Sequence, residues 1–251
     1  MTAPRRTPSM RLKRLLERLD IRVGRNRYTL AGARERLLRD GGVTRVIDVG
    51  AHAGEYGTAL RARGYSGPIV SFEPIARLFE QLQAASASDP AWTCRNQAGG
   101  ERAETATINV SGNDGFSSSL LEMAPAHSRA VADSRYVGSE EIEVVTLDEA
   151  LGEAADGERG WYLKIDTQGY EGKVLAGAAR TLRRCLAVEL ELSLTPLYEG
   201  QPLIGEMIEL MRGAGFVPTH LEPEFNDPGS GELLQVNGLF QASARISAGD
   251  G

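Results

Sequence analysis

The sequence predicts an α/β domain built on a mostly parallel, seven-stranded sheet, with helices on both faces and an antiparallel hairpin at one edge. Three observations carry this expectation. From Arg45 onward, short and almost unbroken apolar runs alternate with segments of helical periodicity, as in parallel strands buried on both faces. The last two strand-like runs, Phe216–His220 and Leu233–Ala242, are joined by the loop Glu222–Gly231 with no helix between them, which points to an antiparallel pair. Hydrophobic residues at 41% and charged residues at 25% suit a chain that buries one large core. They exclude a wholly disordered, collagenous or disulfide-framework protein.

The chain reads in two parts, residues 1–44 and 45–251. Residues 1–9 hold two prolines and little apolar material, so they are expected to be a disordered lead-in. From Met10 to Leu19, leucines recur at helical spacing between arginines, and a second helix is expected over Leu30–Arg39, ended by Gly41-Gly42. Together they form a helical cap. Residues 1–45 carry a net charge of +9 and the remainder −15, within a total of −6. The basic helices either pack on the main domain with their arginines solvated, or meet an acidic partner, a second copy or a membrane surface.

The main part starts with a strand at Val46–Val49, then a helix over Tyr56–Arg63 ended by Gly64. A strand over Pro68–Phe72, a helix over Ala76–Ala85 and a strand over Trp92–Arg95 follow. A β-rich interval holds Ala106–Val110, a polar serine loop and Ile142–Thr146. Then come a strand at Tyr162–Ile165, a helix over Gly172–Arg183, a strand at Leu186–Leu192 and a helix over Ile204–Arg212. No apolar run reaches the roughly 18 residues of a membrane span, and the N-terminus lacks a signal-peptide core. Cys94 and Cys185 are too few for a scaffold of bridges. A soluble cytoplasmic protein with two reduced thiols is expected, with no nucleic-acid partner.

In an open parallel sheet, ligands sit beyond the carboxyl ends of the strands. Four such ends carry unusual polar groups. The first is Asp48-Val49-Gly50-Ala51-His52-Ala53-Gly54, an acid followed by a glycine turn. His52 occupies the middle position where a dinucleotide fingerprint needs glycine, which weakens a pyrophosphate reading. A phosphate-free cofactor with ammonium and sulfonium groups suits the carboxylate better. The second end is Ser71-Phe72-Glu73-Pro74, where Glu73 can accept hydrogen bonds from both hydroxyls of a ribose and Pro74 starts the next helix.

These segments, with Leu163-Lys164-Ile165-Asp166-Thr167-Gln168-Gly169-Tyr170-Glu171 and a strand ending Glu189-Leu190-Glu191, resemble the FkbM-type S-adenosylmethionine-dependent O-methyltransferases over residues 45–242. The resemblance implies a class I methyltransferase fold. It implies that Asp48, Gly50, Ala51, Gly54 and Tyr56 line the methionine end of the cofactor, that Glu73 and Pro74 hold the ribose, and that Asn96 and Ser118 lie near the adenine or the mouth. It also implies an acceptor that is a sugar, a glycoside or a polyketide-type product. Several metal-dependent sugar O-methyltransferases have a Lys or His base three residues after the strand-end Asp. Gly169 stands there in this chain.

The third end, Asp166, is an acid closing a buried strand, costly unless paired, and is expected to bind the cofactor's amino group, a divalent metal, or both. At the fourth, Glu189 and Glu191 lie two residues apart on one strand face and repel unless a cation or a proton lies between them. Asp166, Glu189 and Glu191 together form an oxygen-only set suited to Mg²⁺, Mn²⁺ or Ca²⁺. In the metal-free alternative one glutamate acts as base. Asp166, Glu191 and His52 are the candidate catalytic residues. The competing functions are an NAD(P)-dependent oxidoreductase and a non-catalytic cofactor-binding protein docking a partner through its basic N-terminus.

Overall fold

In a computed structural model, residues 29–152 and 159–247 are described. The lead-in at 1–9 and the helix expected over Met10–Leu19 lie outside the described residues. Helix α1 (Leu30–Asp40) begins at Thr29, whose Oγ1 accepts the Gly32 N–H at 3.0 Å. Next come β1 (Arg45–Val49), α2 (Glu55–Ala62), β2 (Ile69–Phe72), α3 (Ala76–Ser86) and β3 (Trp92–Arg95). The middle of the chain holds β4 (Ala98–Gly99), β5 (Glu104–Ser111), α4 (Pro125–Ala130), β6 (Tyr136–Val145) and α5 (Leu147–Ala150). It closes with β7 (Trp161–Ile165), α6 (Glu171–Ala176), α7 (Ala179–Leu182), β8 (Cys185–Ser193), α8 (Ile204–Gly213), β9 (Phe216–Asn226), β10 (Leu233–Ala242) and α9 (Ser243–Ser247).

The main sheet has seven strands in the order β3-β2-β1-β7-β8-β10-β9. All pairings from β3 to β8 are parallel, and β10 runs antiparallel to both β8 and β9. This is the expected sheet with its edge hairpin. Three details differ from expectation. Strands β4, β6 and β5 form a second, three-stranded sheet, and β6 starts six residues before the expected Ile142. The helix expected over Gly172–Arg183 breaks at Gly177, where a Cβ would stand 2.0 Å from the Gly100 carbonyl oxygen. Strand β9 runs on to Asn226, so the expected long loop is a turn closed by Asp227 and Glu232.

Apolar side chains cover both faces. On one, Val46, Ile69, Tyr162, Ala187 and Leu239 pack under Leu30, Ala33 and Leu37 of α1, Leu60 of α2 and Leu82 of α3. On the other, Ile47, Val49, Leu163, Ile165, Val188 and Leu190 pack under Val174, Leu175, Leu182, Met207 and Met211. Each such side chain contributes roughly 1.5–3 kcal/mol by leaving water. One register row interrupts the first face with polar groups. Cys94, Ser71, Asp48, Lys164 and Glu189 lie side by side across β3, β2, β1, β7 and β8.

After β3 the chain crosses to the far side of β1, so strand order reverses between β1 and β7. Gly50 leaves β1 there with φ +77°, and a Cβ on it would stand 1.9 Å from the Asp166 carbonyl oxygen. A Gly50→Ala substitution combines left-handed strain with a backbone collision. It is expected to cost about 2–5 kcal/mol in denaturant unfolding. Wild-type stability in that variant would mean the two strand ends are not in contact.

Candidate active site

A cavity of about 410 Å³ opens over the carboxyl ends of β1, β2 and β7, within the range of roughly 300–1,000 Å³ usual for small-molecule sites. Its walls differ in character. Ile75, Leu78, Ala98, Ile108 and Leu120 form an apolar side beneath the small sheet. Tyr56, Lys164, Asp166, Gln168, Glu189 and Asn237 form a polar side. Glu73 lies in the wall as well, and is 4% exposed.

The polar side is an extension of the buried register row. Lys164 Nζ lies 3.3 Å from Asp48 Oδ1 and 3.4 Å from Asp166 Oδ2, and donates to the Gly50 carbonyl at 3.1 Å. Burial alone would lower the Lys164 pKa, but Asp166 and Asp48, helped by Glu189, outweigh it and hold the ammonium above its ordinary value. Burial pushes the Asp48 carboxyl up, and Lys164 works against that shift. Beyond Lys164, Arg34 of α1 grips Glu189 through two donors at 2.8 and 2.6 Å. The Tyr162 and Tyr56 hydroxyls also donate to Glu189 Oε2. The Tyr56 ring receives the Arg34 guanidinium at 5.0 Å and Lys164 Nζ at 5.4 Å from its centroid.

Glu73 is fixed by the turns around it. Its Oε2 accepts the His52 N–H and its Oε1 the Ile75 N–H, both at 2.9 Å. Burial raises its pKa to about 7 against those two amides. Glu171 does the same for the turn after β7, where its Oε1 accepts from Thr167 N, Thr167 Oγ1 and Gly169 N. Burial lifts Glu171 to about 7 as well. Within that turn Gln168 adopts φ +54°. Its Nε2 donates to Asp166 Oδ1 at 2.9 Å and Glu191 Oε2 at 2.8 Å, and its Oε1 faces the Tyr198 hydroxyl at 2.8 Å.

The segment after β5 closes the top. The His52 ring stacks on Phe116 with centroids 4.0 Å apart, its Nε2 meets the Asp114 carbonyl at 3.1 Å and its Nδ1 meets Glu55 Oε1 at 3.1 Å. Arg77 donates to the same Asp114 carbonyl at 2.9 Å. Phe116 is 57% exposed at the rim. Behind it, Ser117 Oγ contacts Nε2 of the buried His127, whose pKa burial lowers to about 4.

Of the residues singled out in the sequence, Gly50, Ala51, His52, Tyr56, Glu73, Pro74, Ser118, Asp166 and Glu189 line the cavity. Four do not. Asp48 is fully buried beneath the wall and acts through Lys164. Gly54 takes φ +94° at the start of α2 and faces Leu82 of α3. Asn96 is spent on the carbonyls of Glu73 and Pro74 at 3.0 and 2.8 Å, leaving the wall to Gln97. Glu191 stands behind Gln168, and burial with Asp166 and Glu171 nearby pushes its pKa well up. Both nitrogens of His52 are already engaged, which leaves it a clamp on the loop.

The metal set expected from Asp166, Glu189 and Glu191 does not form. Among the described residues no group of three or more His, Cys, Asp or Glu side chains is arranged to hold a metal ion. The reason lies in the partners. The cation beside Glu189 is the Arg34 guanidinium, and an amide nitrogen stands between Asp166 and Glu191. Arg34, Lys164 and Gln168 were not singled out from the sequence. Lys164 and Gln168 lie inside the Leu163–Glu171 motif, and the signal for Lys164 was a lone cation in an apolar strand.

A test follows from Glu171. Its folded pKa of about 7 exceeds its unfolded value, so its contribution is fully present below the unfolded pKa, near 4.5. That contribution is lost as pH rises through about 7. Glu171→Gln keeps the Oε1 acceptor and removes the charge. The melting temperature of the variant is expected to fall less than that of the wild type between pH 5 and pH 8. Equal slopes in the two proteins would show that Glu171 does not titrate in this window.

Residues 48–218 match the model of the methyltransferase FkbM domain. No curated protein sequence matches the chain. Among solved structures, a Burkholderia thailandensis 1,6-didemethyltoxoflavin-N1-methyltransferase overlaps 97% of this chain and 93% of its own, at 11% identity and a TM-score of 0.42. The METTL16 methyltransferase domain overlaps 90% and 71%, at 10% identity and a TM-score of 0.45. An O-methyltransferase from neocarzinostatin biosynthesis, solved with S-adenosyl-L-homocysteine, overlaps 80% and 49%, at 10% identity and a TM-score of 0.40. Overlaps this loose say nothing of substrate. The family match spans more than half of the sequence and takes in the ends of β1, β2, β7 and β8, so the chain belongs to the FkbM methyltransferase family.

Proposed function

We propose that this methyltransferase uses S-adenosylmethionine to methylate a hydroxyl of a sugar, glycoside or polyketide-type molecule. The observation that carries the reading is Glu73, a carboxylate buried in the cavity wall at the end of β2 and pinned by two backbone amides. Each of its oxygens retains a lone pair for a ribose hydroxyl. The apolar side formed by Ile75, Leu78, Ala98, Ile108 and Leu120 suits a purine ring. Bound there, S-adenosylmethionine supplies a methyl group activated by its sulfonium.

The chain then has to hold an acceptor oxygen in line, which is mostly a matter of position. Asp166 is the carboxylate for this task, because it lines the cavity and its side chain is 39% exposed while Glu191 is set back behind Gln168. Lys164 and Gln168 fix its two oxygens, and it accepts the hydrogen bond of the acceptor hydroxyl. The Asn237 carboxamide stands on the same side, and such a wall suits an acceptor with several hydroxyls. Proton removal by Asp166 would contribute about 10²–10⁴-fold.

The test is a thermal-shift titration with S-adenosylmethionine, S-adenosylhomocysteine and NADH, followed by mass spectrometry of a polyol and glycoside panel. Stabilisation by both sulfur nucleotides and not by NADH is expected. Glu73→Gln is expected to weaken S-adenosylhomocysteine about tenfold or more, the loss of one charged hydrogen bond. Binding of NADH alone would sink the cofactor assignment. Transfer to nitrogen rather than oxygen across the panel would sink the acceptor assignment.

A further inference from the structure

We propose that the Gln168 carboxamide takes the place of a divalent cation between Asp166 and Glu191, and positions Asp166 without a metal. The proposal rests on the methyltransferase reading only in giving Asp166 an acceptor to hold. Two carboxyl groups that share a strand-end face need positive potential or a proton between them. Here both amide protons are spent on them, since Nε2 lies 2.9 Å from Asp166 Oδ1 and 2.8 Å from Glu191 Oε2. A bridging ion with oxygen ligands at roughly 2.0–2.6 Å would have to occupy the same space.

The carboxamide is held so that its nitrogen faces the acids. Its Oε1 accepts from the Tyr198 hydroxyl at 2.8 Å, the shorter of that hydroxyl's two contacts, the other being the Ser117 carbonyl at 3.1 Å, and Tyr198 is buried among Leu197, Leu234 and Ala130. The Gln168 carbonyl accepts the Ser119 hydroxyl at 2.7 Å, tying the turn to the segment over the cavity. The left-handed backbone at Gln168, costly for a side chain other than glycine, is maintained by Glu171 accepting the amides on either side of it. Strain of this kind persists only where its surroundings impose it, and here it delivers one nitrogen to two acids. Glu191 completes the device. Burial, with Asp166 and Glu171 beside it, raises the Glu191 carboxyl well above its ordinary value, and one neutral nitrogen reaches both it and Asp166.

The experiment is calorimetric titration of Mg²⁺, Mn²⁺ and Ca²⁺ into the full chain, with S-adenosylhomocysteine affinity measured in parallel. The wild type is expected to show no site binding of any of the three ions at millimolar concentration. Gln168→Glu, which sets a third carboxylate at that point, is expected to bind Mn²⁺ or Ca²⁺ at least about tenfold more tightly than the wild type. Gln168→Ala, which removes the bridging nitrogen, is expected to gain such binding too, and carries the test if the first variant fails to fold. A gain of metal affinity is a readout that a merely structural glutamine would not produce. Stoichiometric metal binding by the wild type that disappears in Asp166→Asn overturns the proposal, as does a folded pair of variants that gains no affinity. Failure of S-adenosylhomocysteine to bind the wild type overturns the cofactor reading alone, because the metal contrast is still measured.

Discussion

The arrangement depends on one buried ammonium. Lys164 sits in an apolar strand with its charge between Asp48 of β1 and Asp166 at the end of β7. Taking such a group from water costs several kcal/mol, and only well-placed opposite charges offset it. Two carboxylates at 3.3 and 3.4 Å and the Gly50 carbonyl supply that offset. All three partners belong to strand ends that meet where the sheet order reverses. The ion cluster therefore stabilises the one junction that the cavity is built around. Any drift of β1 against β7 would strand a charge.

Arg34 carries the same logic into the N-terminal helix. Its two donors hold Glu189 while Leu30, Ala33 and Leu37 pack on the sheet, so α1 shares the core of the strands it covers. A basic helix that looks like surface in sequence thus supplies one buried cation to the polar wall. The remaining walls differ in kind. Glu73 and Asp166 stand at strand ends, whereas Phe116 and Asp114 stand on a segment fastened by His52 and Arg77.

Much of this was legible from residue order. Apolar runs and glycine turns gave the main sheet, its edge hairpin and most helix limits, because period and punctuation are local properties. The acids at Asp48, Glu73, Asp166, Glu189 and Glu191 stood out because a charge inside an apolar run is costly without a partner. Their partners were not legible. Glu189 and Glu191 share a face, as the two-residue period dictates, yet one is held by Arg34 from 155 residues away and the other by the Gln168 carboxamide. Register decides this, and register between strands distant in sequence is written in no single segment. Asp48 shows the same limit. Its position at the end of β1 suggested contact with a ligand, while its row partner Lys164 draws it beneath the wall.

Charge balance explains why a neutral bridge suits this site. Lys164 and Arg34 face three acids, Asp48, Asp166 and Glu189, which leaves the cluster one positive charge short of its acids. S-adenosylmethionine, with two cationic groups and one carboxylate, would complement that deficit. Its demethylated product has lost the sulfonium charge and would complement it less, which favours exchange of product for fresh cofactor. The same attraction has a cost, since the sulfonium charge fades in the transition state and an excess of carboxylate would hold the ground state back. A divalent ion would overcorrect this balance, and an ionised Glu191 would deepen the deficit. A carboxamide donating to both acids adds no charge, and fixes Asp166 in the cavity wall.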